Sequence, residues 1–207
     1  MSKKGRFITL EGMDGAGKST HIPSIIRQLQ ASGLEVVSTR EPGGTPLGEQ
    51  LREILLHQAM SAETETLLMF AARQEHIAQI IAPALARGAC VVSDRFTDAT
   101  YAYQSGAKGV DAAKIKMLET WVQGVLQPDL TLLFDVPVEI SVQRLSTARA
   151  PDKFERENVQ FFEKLRKAYL ARAAENPARF RVINANKALE EVKSEVKVVI
   201  QEFISTI

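Results

Sequence analysis

The run Gly12-Met13-Asp14-Gly15-Ala16-Gly17-Lys18-Ser19 carries the pattern G-x-x-x-x-G-K-[ST] in full. Glycines at this spacing let the backbone curl until successive N–H groups point inward, where they can hold phosphate oxygens. A helix starting at the loop's end adds the positive pole of its dipole. Lys18 can neutralise β- and γ-phosphates, and the Ser19 hydroxyl can ligate Mg²⁺. The flanks suit this chemistry: residues 7–11 (FITLE) read as a strand and 19–29 as a helix. These residues point to a nucleoside triphosphate. They leave open where its phosphoryl group goes.

Other residues could complete such a site. Asp94 ends an apolar strand and is followed by Arg95. A carboxylate there can hold Mg²⁺ opposite Ser19, directly or through water, and the arginine adds a phosphate fork. Asp135 also follows an apolar strand, but a helix lies directly downstream and capping competes for it. Asp94 is favoured on the strength of Arg95. The stretch Thr39-Arg40-Glu41-Pro42-Gly43-Gly44-Thr45 is a turn by composition, either a plain surface loop or an active-site loop. Phe70 and Arg73 lie three residues apart and share a helix face. Together they could offer a base a stacking surface and a planar fork, although a lone Phe70 is more often core. Tyr101, Tyr103 and Gln104 follow the Asp94-Arg95 pair, and a buried glutamine can read a base edge through its paired donor and acceptor. Arg144, Arg149, Lys153 and Arg156 cluster around the small, polar, basic segment 146–153 (STARAPDK), either a mobile lid or an ordinary connection. His21, His57 and His76 have no metal-ligand spacing and are given no role.

The elements that must position these residues alternate along the chain. Strands are predicted at 7–11, 35–38, 90–93, 130–134 and 181–183, and helices at 18–32, 46–56, 63–87, 112–126, 137–145, 155–174 and 189–204. In the third helix Leu67, Met69, Phe70, Ile77, Ile80 and Ile81 recur at helical spacing. Such alternation predicts an α/β three-layer sandwich, a parallel five-stranded sheet with helices on both faces. These sheets bind ligands beyond the carboxyl ends of their strands. The loops predicted after strands, 40–44, 94–109 and 135–137, sit at that end.

With 207 residues, the chain is long enough for one large domain spanning 1–207. Hydrophobic residues make up 45% and charged ones 25%, as expected of a soluble globular protein. A net charge of +1 gives no electrostatic case for nucleic acid or an anionic membrane. No apolar run is long enough to span a bilayer. The one cysteine, Cys90, sits in an apolar run and reads as a small buried hydrophobe; with no signal peptide visible, this points to the cytoplasm. A GTPase switch would need Asn-Lys-x-Asp, but Asn186-Lys187 continues into Ala188-Leu189. A nucleic-acid motor would need a basic groove, which is not evident.

The blocks FITLEGMDGAGKST, TREPGGTPLGE, MFAARQEH, VVSDRFTDATYAYQ, PDLTLLFDVP and RAPDKFE span essentially the whole chain. In this set and order the chain resembles the bacterial thymidylate kinase family; TREPGGT with DRFTDATYAYQ is far more specific than the P-loop alone. The resemblance implies transfer of the ATP γ-phosphate to dTMP, a Mg²⁺ requirement and a homodimer. It implies that Gly12 through Thr20 hold ATP, with Lys18 catalytic and Asp14 near the acceptor's phosphate and sugar. Glu41, Arg52 and Arg95 would face dTMP; Arg73 and Gln104 would read the thymine with Thr100 beside it, and Tyr103 would wall off the sugar. Related kinases carry a cis proline after the second strand, so the Glu41–Pro42 peptide is expected to be cis. Members with an arginine in the P-loop use it as a catalytic cation. Here Gly15 stands in that loop, which assigns the cation to a lid at 146–155, with Arg149 the leading candidate and Lys153 and Arg156 next. Lys153 replaces the family's usual arginine, keeping the charge but losing the planar fork. The family's stacking phenylalanine commonly falls at the position of Met69. The expectation here is that Phe70, one residue later, takes that role. Another nucleoside monophosphate kinase, acting on dUMP, UMP or AMP, is the alternative.

Overall fold

In a computed structural model, residues 5–146, 153, 154 and 157–207 are described. Five strands form one parallel sheet: β1 (Arg6–Glu11), β2 (Val36–Arg40), β3 (Cys90–Asp94), β4 (Leu130–Asp135) and β5 (Phe180–Asn184), in the order β2-β3-β1-β4-β5. β1, β3 and β4 are near-continuous apolar runs because helices cover both of their faces. The edge strands β2 and β5 are less buried. Alternation along β1 sends Ile8 and Leu10 into a large core with Leu132, Phe134 and Ile25, and Phe7 into a second core with Val91, Ile81 and Phe96. Glu11 falls on the Phe7 side. The chain runs from β1 to β2 on one side of the sheet and later to β4 on the other, so direction reverses at β1. The loop after β1 therefore opens at the switch point, where such sheets bind ligands.

The helices are α1 (Lys18–Ala31), α2 (Pro46–His57), α3 (Ala62–His76), α4 (Ala82–Ala86), α5 (Thr97–Thr100), α6 (Ala112–Gln123), α7 (Val138–Ser146), α8 (Val159–Glu175) and α9 (Leu189–Ile204). The segment 63–87, predicted as one helix, is α3 and α4 joined by a π-helical stretch, Ile77–Ile81. Pro83 lies at the start of α4, where the missing N–H breaks the regular ladder. Leu67, expected on the core face, is exposed, whereas Phe70 and Ile81 are buried.

The stretch predicted as a loop after β3 is helical: α5 runs into a second π-helical segment, Tyr101–Ala107. Its polar side chains disguised it. Thr97, Asp98, Thr100 and Gln104 are all buried. Asp98 is held by Arg172 and Arg179 at 3.0 and 2.7 Å, and Thr97 donates to Gln123. Helix α8 begins at Val159 rather than 155, where the Asn158 side chain accepts from Phe161 N–H at 2.9 Å. Helix α6 stops at Gln123, before Gly124 at φ 56°.

Candidate active site

The loop from Gly12 to Gly17 joins β1 to α1. Gly12 has φ 133°, and a Cβ there would lie 2.4 Å from the Phe134 carbonyl oxygen. Gly15 has φ 76°, and its Cβ would lie 2.6 Å from the Ser141 carbonyl oxygen. An arginine could not stand at position 15 without displacing α7. The loop is braced from that helix: the Ser141 hydroxyl donates to Asp14 O, and Arg144 reaches the Gly15 and Ala185 carbonyls. Lys18 is buried, and its ammonium donates to Gly12 O at 2.9 Å and Met13 O at 3.0 Å. Burial, and then Arg95, lower its pKa. Ser19 and Thr20 are exposed at the start of α1.

Asp94 closes β3 in register with Leu10 of β1 and Arg40 of β2. Its Oδ1 is buried and has no hydrogen-bond partner among the described residues. An orphaned carboxylate oxygen at this strand end fits a cation ligand. No group of three or more His, Cys, Asp or Glu side chains suited to a metal occurs among the described residues. A single carboxylate ligand such as Asp94 suits Mg²⁺, which keeps waters and substrate phosphates as most of its ligands. Asp135, the competing candidate, is instead held by Arg166 through two hydrogen bonds of 2.7 and 2.8 Å.

Arg95 turns the chain after β3 with φ 71°, a left-handed conformation uncommon for a side-chain-bearing residue. Its N–H donates to Leu10 O of β1 and its carbonyl accepts from the Ser93 hydroxyl, so its own strand and the neighbouring β1 fix the turn. The guanidinium donates to Asp14 Oδ1 at 2.7 Å, Tyr103 Oη at 3.0 Å and Tyr169 Oη at 2.9 Å. Tyr103 in turn donates to Asp14 Oδ2 at 2.9 Å. Burial alone would raise the Asp14 pKa, but the Arg95 and Lys18 charges outweigh it and hold the carboxyl well below the usual range. Asp14 thus belongs both to the phosphate loop and to a neighbouring cleft.

That cleft is lined by Asp14, Glu41, Pro42, Arg52, Leu56 and Met69, and further by Arg73, Arg95, Phe96, Ala99, Thr100, Tyr103, Gln104 and Phe154. The expected acceptor-side residues therefore come together, with one exception. Phe70 does not line the cleft. It packs in a separate core with Val110 and Ile115, its ring 4.7 Å from the Arg73 guanidinium. Met69 faces the cleft instead: one step along a helix turns a side chain by about 100°, and the deep position goes to the bulkier aromatic.

Glu41 anchors the base side. The Glu41–Pro42 peptide is cis. Glu41 Oε2 accepts from Arg73 Nε at 2.8 Å, and Oε1 lies 2.9 Å from His76 Nδ1. His76 Nε2 meets the Thr39 hydroxyl at 2.6 Å. Arg73 Nη2 donates to Thr100 Oγ1 at 3.0 Å, while its Nη1 is buried without a partner among the described residues. Arg52 donates to Pro42 O at 3.0 Å. Arg40, beside Glu41, points to solvent and pairs with Glu49. Lys153, expected to act as a lid cation, is not directed at the P-loop. It pairs with Glu65 at 2.8 Å and donates to Gln58 O, because a buried carboxylate draws in the nearest ammonium. Arg149 and Arg156 lie outside the described residues.

Sequence reading missed several supporting groups. Glu11 is fully buried and accepts from Phe96 N–H at 2.8 Å and from Tyr169 Oη at 3.1 Å. Burial, reinforced by Asp98, pushes its pKa up to about 8. The signal for it was a charged residue ending an otherwise apolar strand. His76, Glu65 and Tyr169 gave no signal, since each is defined by partners distant in sequence.

A P-loop at the switch point of a parallel sheet, sharing an aspartate with a base-sized cleft, defines a P-loop phosphotransferase. A family profile described as thymidylate kinase matches residues 10–196. The thymidylate kinase of Methylobacillus flagellatus is 67% identical over 200 residues, covering 97% of this chain and 98% of that protein. That of Cupriavidus metallidurans is 59% identical over 204 residues, covering 99% and 100%. The crystal structure of thymidylate kinase from Ehrlichia chaffeensis superposes with a TM-score of 0.77 at 33% identity, covering 95% of this chain and 99% of that one. The chain belongs to the thymidylate kinase family.

Proposed function

We infer that the chain transfers the γ-phosphate of ATP to dTMP, giving dTDP and ADP. Family membership carries this reading, and Asp14 is its physical counterpart, because one carboxylate touches both the P-loop and the acceptor cleft. Residues Gly12 to Thr20 bind the triphosphate, and Lys18 leaves its resting carbonyls to meet phosphate. Arg95, pinned by Asp14, Tyr103 and Tyr169, faces the acceptor phosphate. Ser19 and Asp94 hold Mg²⁺, which supplies charge neutralisation on the phosphate oxygens when bound. Arg73, Thr100 and Gln104 read the base over Met69, and Tyr103 closes the sugar side. The geometry at Gly15 leaves no room for a P-loop arginine, which supports Arg149 as the transition-state cation.

A homodimer is part of the same reading. Leu67 on α3 and Met117 and Trp121 on α6 are exposed, Trp121 at 83%, and Val125 just beyond α6 is fully exposed. Large apolar side chains exposed in this number on two helices that pack together suit an interaction surface. Equilibrium sedimentation reads this directly, and a monomer at micromolar concentration removes the dimer from the reading. No helix among the described residues is long and apolar enough to cross a membrane. A buried free thiol at Cys90 suits the cytoplasm.

The test is ADP release with ATP-Mg²⁺ and a panel of nucleoside monophosphates. dTMP is expected to lead, with dUMP poorer and UMP poorer still. The 5-methyl group is one apolar contact worth only ~1–3 kcal/mol, so dUMP retains activity. In Tyr103→Ala, UMP use rises relative to dTMP even as total activity falls, because the ring no longer closes over the sugar. Unchanged discrimination in a folded Tyr103→Ala protein removes the sugar-gate role; AMP or GMP as best acceptor removes the base-reading assignment. In the same assay Arg149→Ala is expected to lower kcat with little change in KM for dTMP, as loss of a contact made only in the transition state does. An unchanged kcat excludes Arg149.

A further inference from the structure

Behind the cleft lies a carboxylate that the reaction does not touch. Glu65, on α3, is 1% exposed. Its Oε1 accepts from Gln104 Nε2 at 2.9 Å and from Lys108 Nζ at 2.8 Å. Its Oε2 accepts from Lys108 Nζ at 2.9 Å and pairs with Lys153 Nζ at 2.8 Å. Burial opposes its charge, but hydrogen bonds from Lys108, Lys153 and Gln104 prevail and hold its pKa below the ordinary carboxyl value. An ionised carboxylate can only accept hydrogen bonds. The Gln104 amide has one donor end and one acceptor end, so its NH₂ must face Glu65.

We propose that Glu65 is a specificity-determining positioning residue: by taking the Gln104 NH₂ it turns the amide oxygen toward the base. A ring N–H is then accepted and a ring nitrogen lone pair refused. Arg73 Nη1, without a partner among the described residues, is the complementary donor, suited to an exocyclic oxygen. Acceptor beside donor matches the imide edge of thymine or uracil. Cytosine presents the opposite pattern, a lone pair at N3 and an amine at C4, so like groups face each other at both positions. Discrimination of this kind comes from repulsion and unpaired buried groups as much as from attraction. The proposal rests on the reading of Arg73 and Gln104 as base readers. It adds that the selectivity of Gln104 is set by a residue out of contact with the nucleotide.

Glu65→Gln keeps the shape but removes the charge, and a glutamine can donate as well as accept, so Gln104 becomes free to turn over. The measurement is kcat and KM on dTMP and on dCMP. The ratio of their kcat/KM values is expected to fall about tenfold, the scale of one hydrogen bond, mainly through KM. Glu65→Asp keeps the charge and is expected to retain the ratio even where activity drops. If Glu65→Gln is poorly folded because it strands two ammonium groups, Glu65→Gln/Lys108→Met removes one of them and is expected to show the same fall. A merely structural role lowers activity on both nucleotides and leaves the ratio alone, which overturns the proposal. Gln104→Ala separates the two levels. If it weakens dTMP use while the Glu65 variants keep the wild-type ratio, Glu65 is dismissed and Gln104 stands. If Gln104→Ala leaves the KM for dTMP unchanged, the base-reader assignment itself fails.

Discussion

Lys18→Ala is expected to abolish turnover in a protein that remains folded. The Lys18 ammonium rests on two carbonyls of its own loop, Gly12 O and Met13 O. It is therefore held at the mouth of α1 by the loop that must bind the triphosphate, and reorganises little when phosphate oxygens replace those carbonyls. A preorganised charge aimed at developing negative charge is worth at least ~3 kcal/mol, roughly 10²–10³-fold in kcat. Lys18 belongs to none of the three hydrophobic cores, so alanine removes no member of them and the melting temperature should move little. The check is kcat from ADP release alongside a thermal melt. Near-normal turnover with an unchanged melt would falsify the P-loop assignment.

The sequence made the frame of the site legible because the frame is local. A glycine pattern between a strand and a helix specifies its own conformation, and Gly12 and Gly15 sit at the positive φ values that pattern needs. β1, β3 and β4 are apolar runs bounded by turns, and strands alternate with helices throughout, so the number of strands and their parallel direction could be read and their ends placed within a residue or two. What escaped depends on contacts between distant residues. The stretch after β3 looked like a loop because Asp98, Thr100 and Gln104 are polar, yet each is buried against a partner far along the chain. Phe70 and Met69 differ by one step on a helix, and periodicity does not resolve which of two neighbours turns outward. Lys153 looked like a lid cation from the basic cluster and the family resemblance, but it pairs with Glu65, which lies on α3 far along the chain. Cys90 was legible because an apolar run suffices to bury a thiol: burial pushes its pKa up to about 12, leaving it inert.

Glu41→Ala is expected to damage stability and substrate recognition together. Glu41 lies between two buried groups, Arg73 at 2.8 Å and His76 at 2.9 Å, and all three side chains are at most 5% exposed. Arg73 has no other carboxylate partner among the described residues; its remaining contacts are the Thr100 hydroxyl and the rings of Phe70 and Phe96. Removing one member of a buried ion pair leaves the other desolvated and unpaired, at a cost of about 3–5 kcal/mol. For a domain of this size that corresponds to a fall of roughly 6–20 °C in melting temperature. Recognition suffers for a separate reason. Arg73 Nε is tied to Glu41 and Nη2 to Thr100, which holds the planar guanidinium in one orientation and leaves Nη1 for the base. Without Glu41 the plane is free to rotate, so the KM for dTMP should rise at least about tenfold, the scale of a hydrogen bond to a charged group. Glu41→Gln distinguishes the two effects. It can still accept from Arg73 and so preserve the orientation, while losing the charge. Its KM should lie nearer wild type than its melting temperature does. A Glu41→Ala protein that melts within a degree of wild type, with an unchanged KM for dTMP, would show that Arg73 is positioned by something other than this pair.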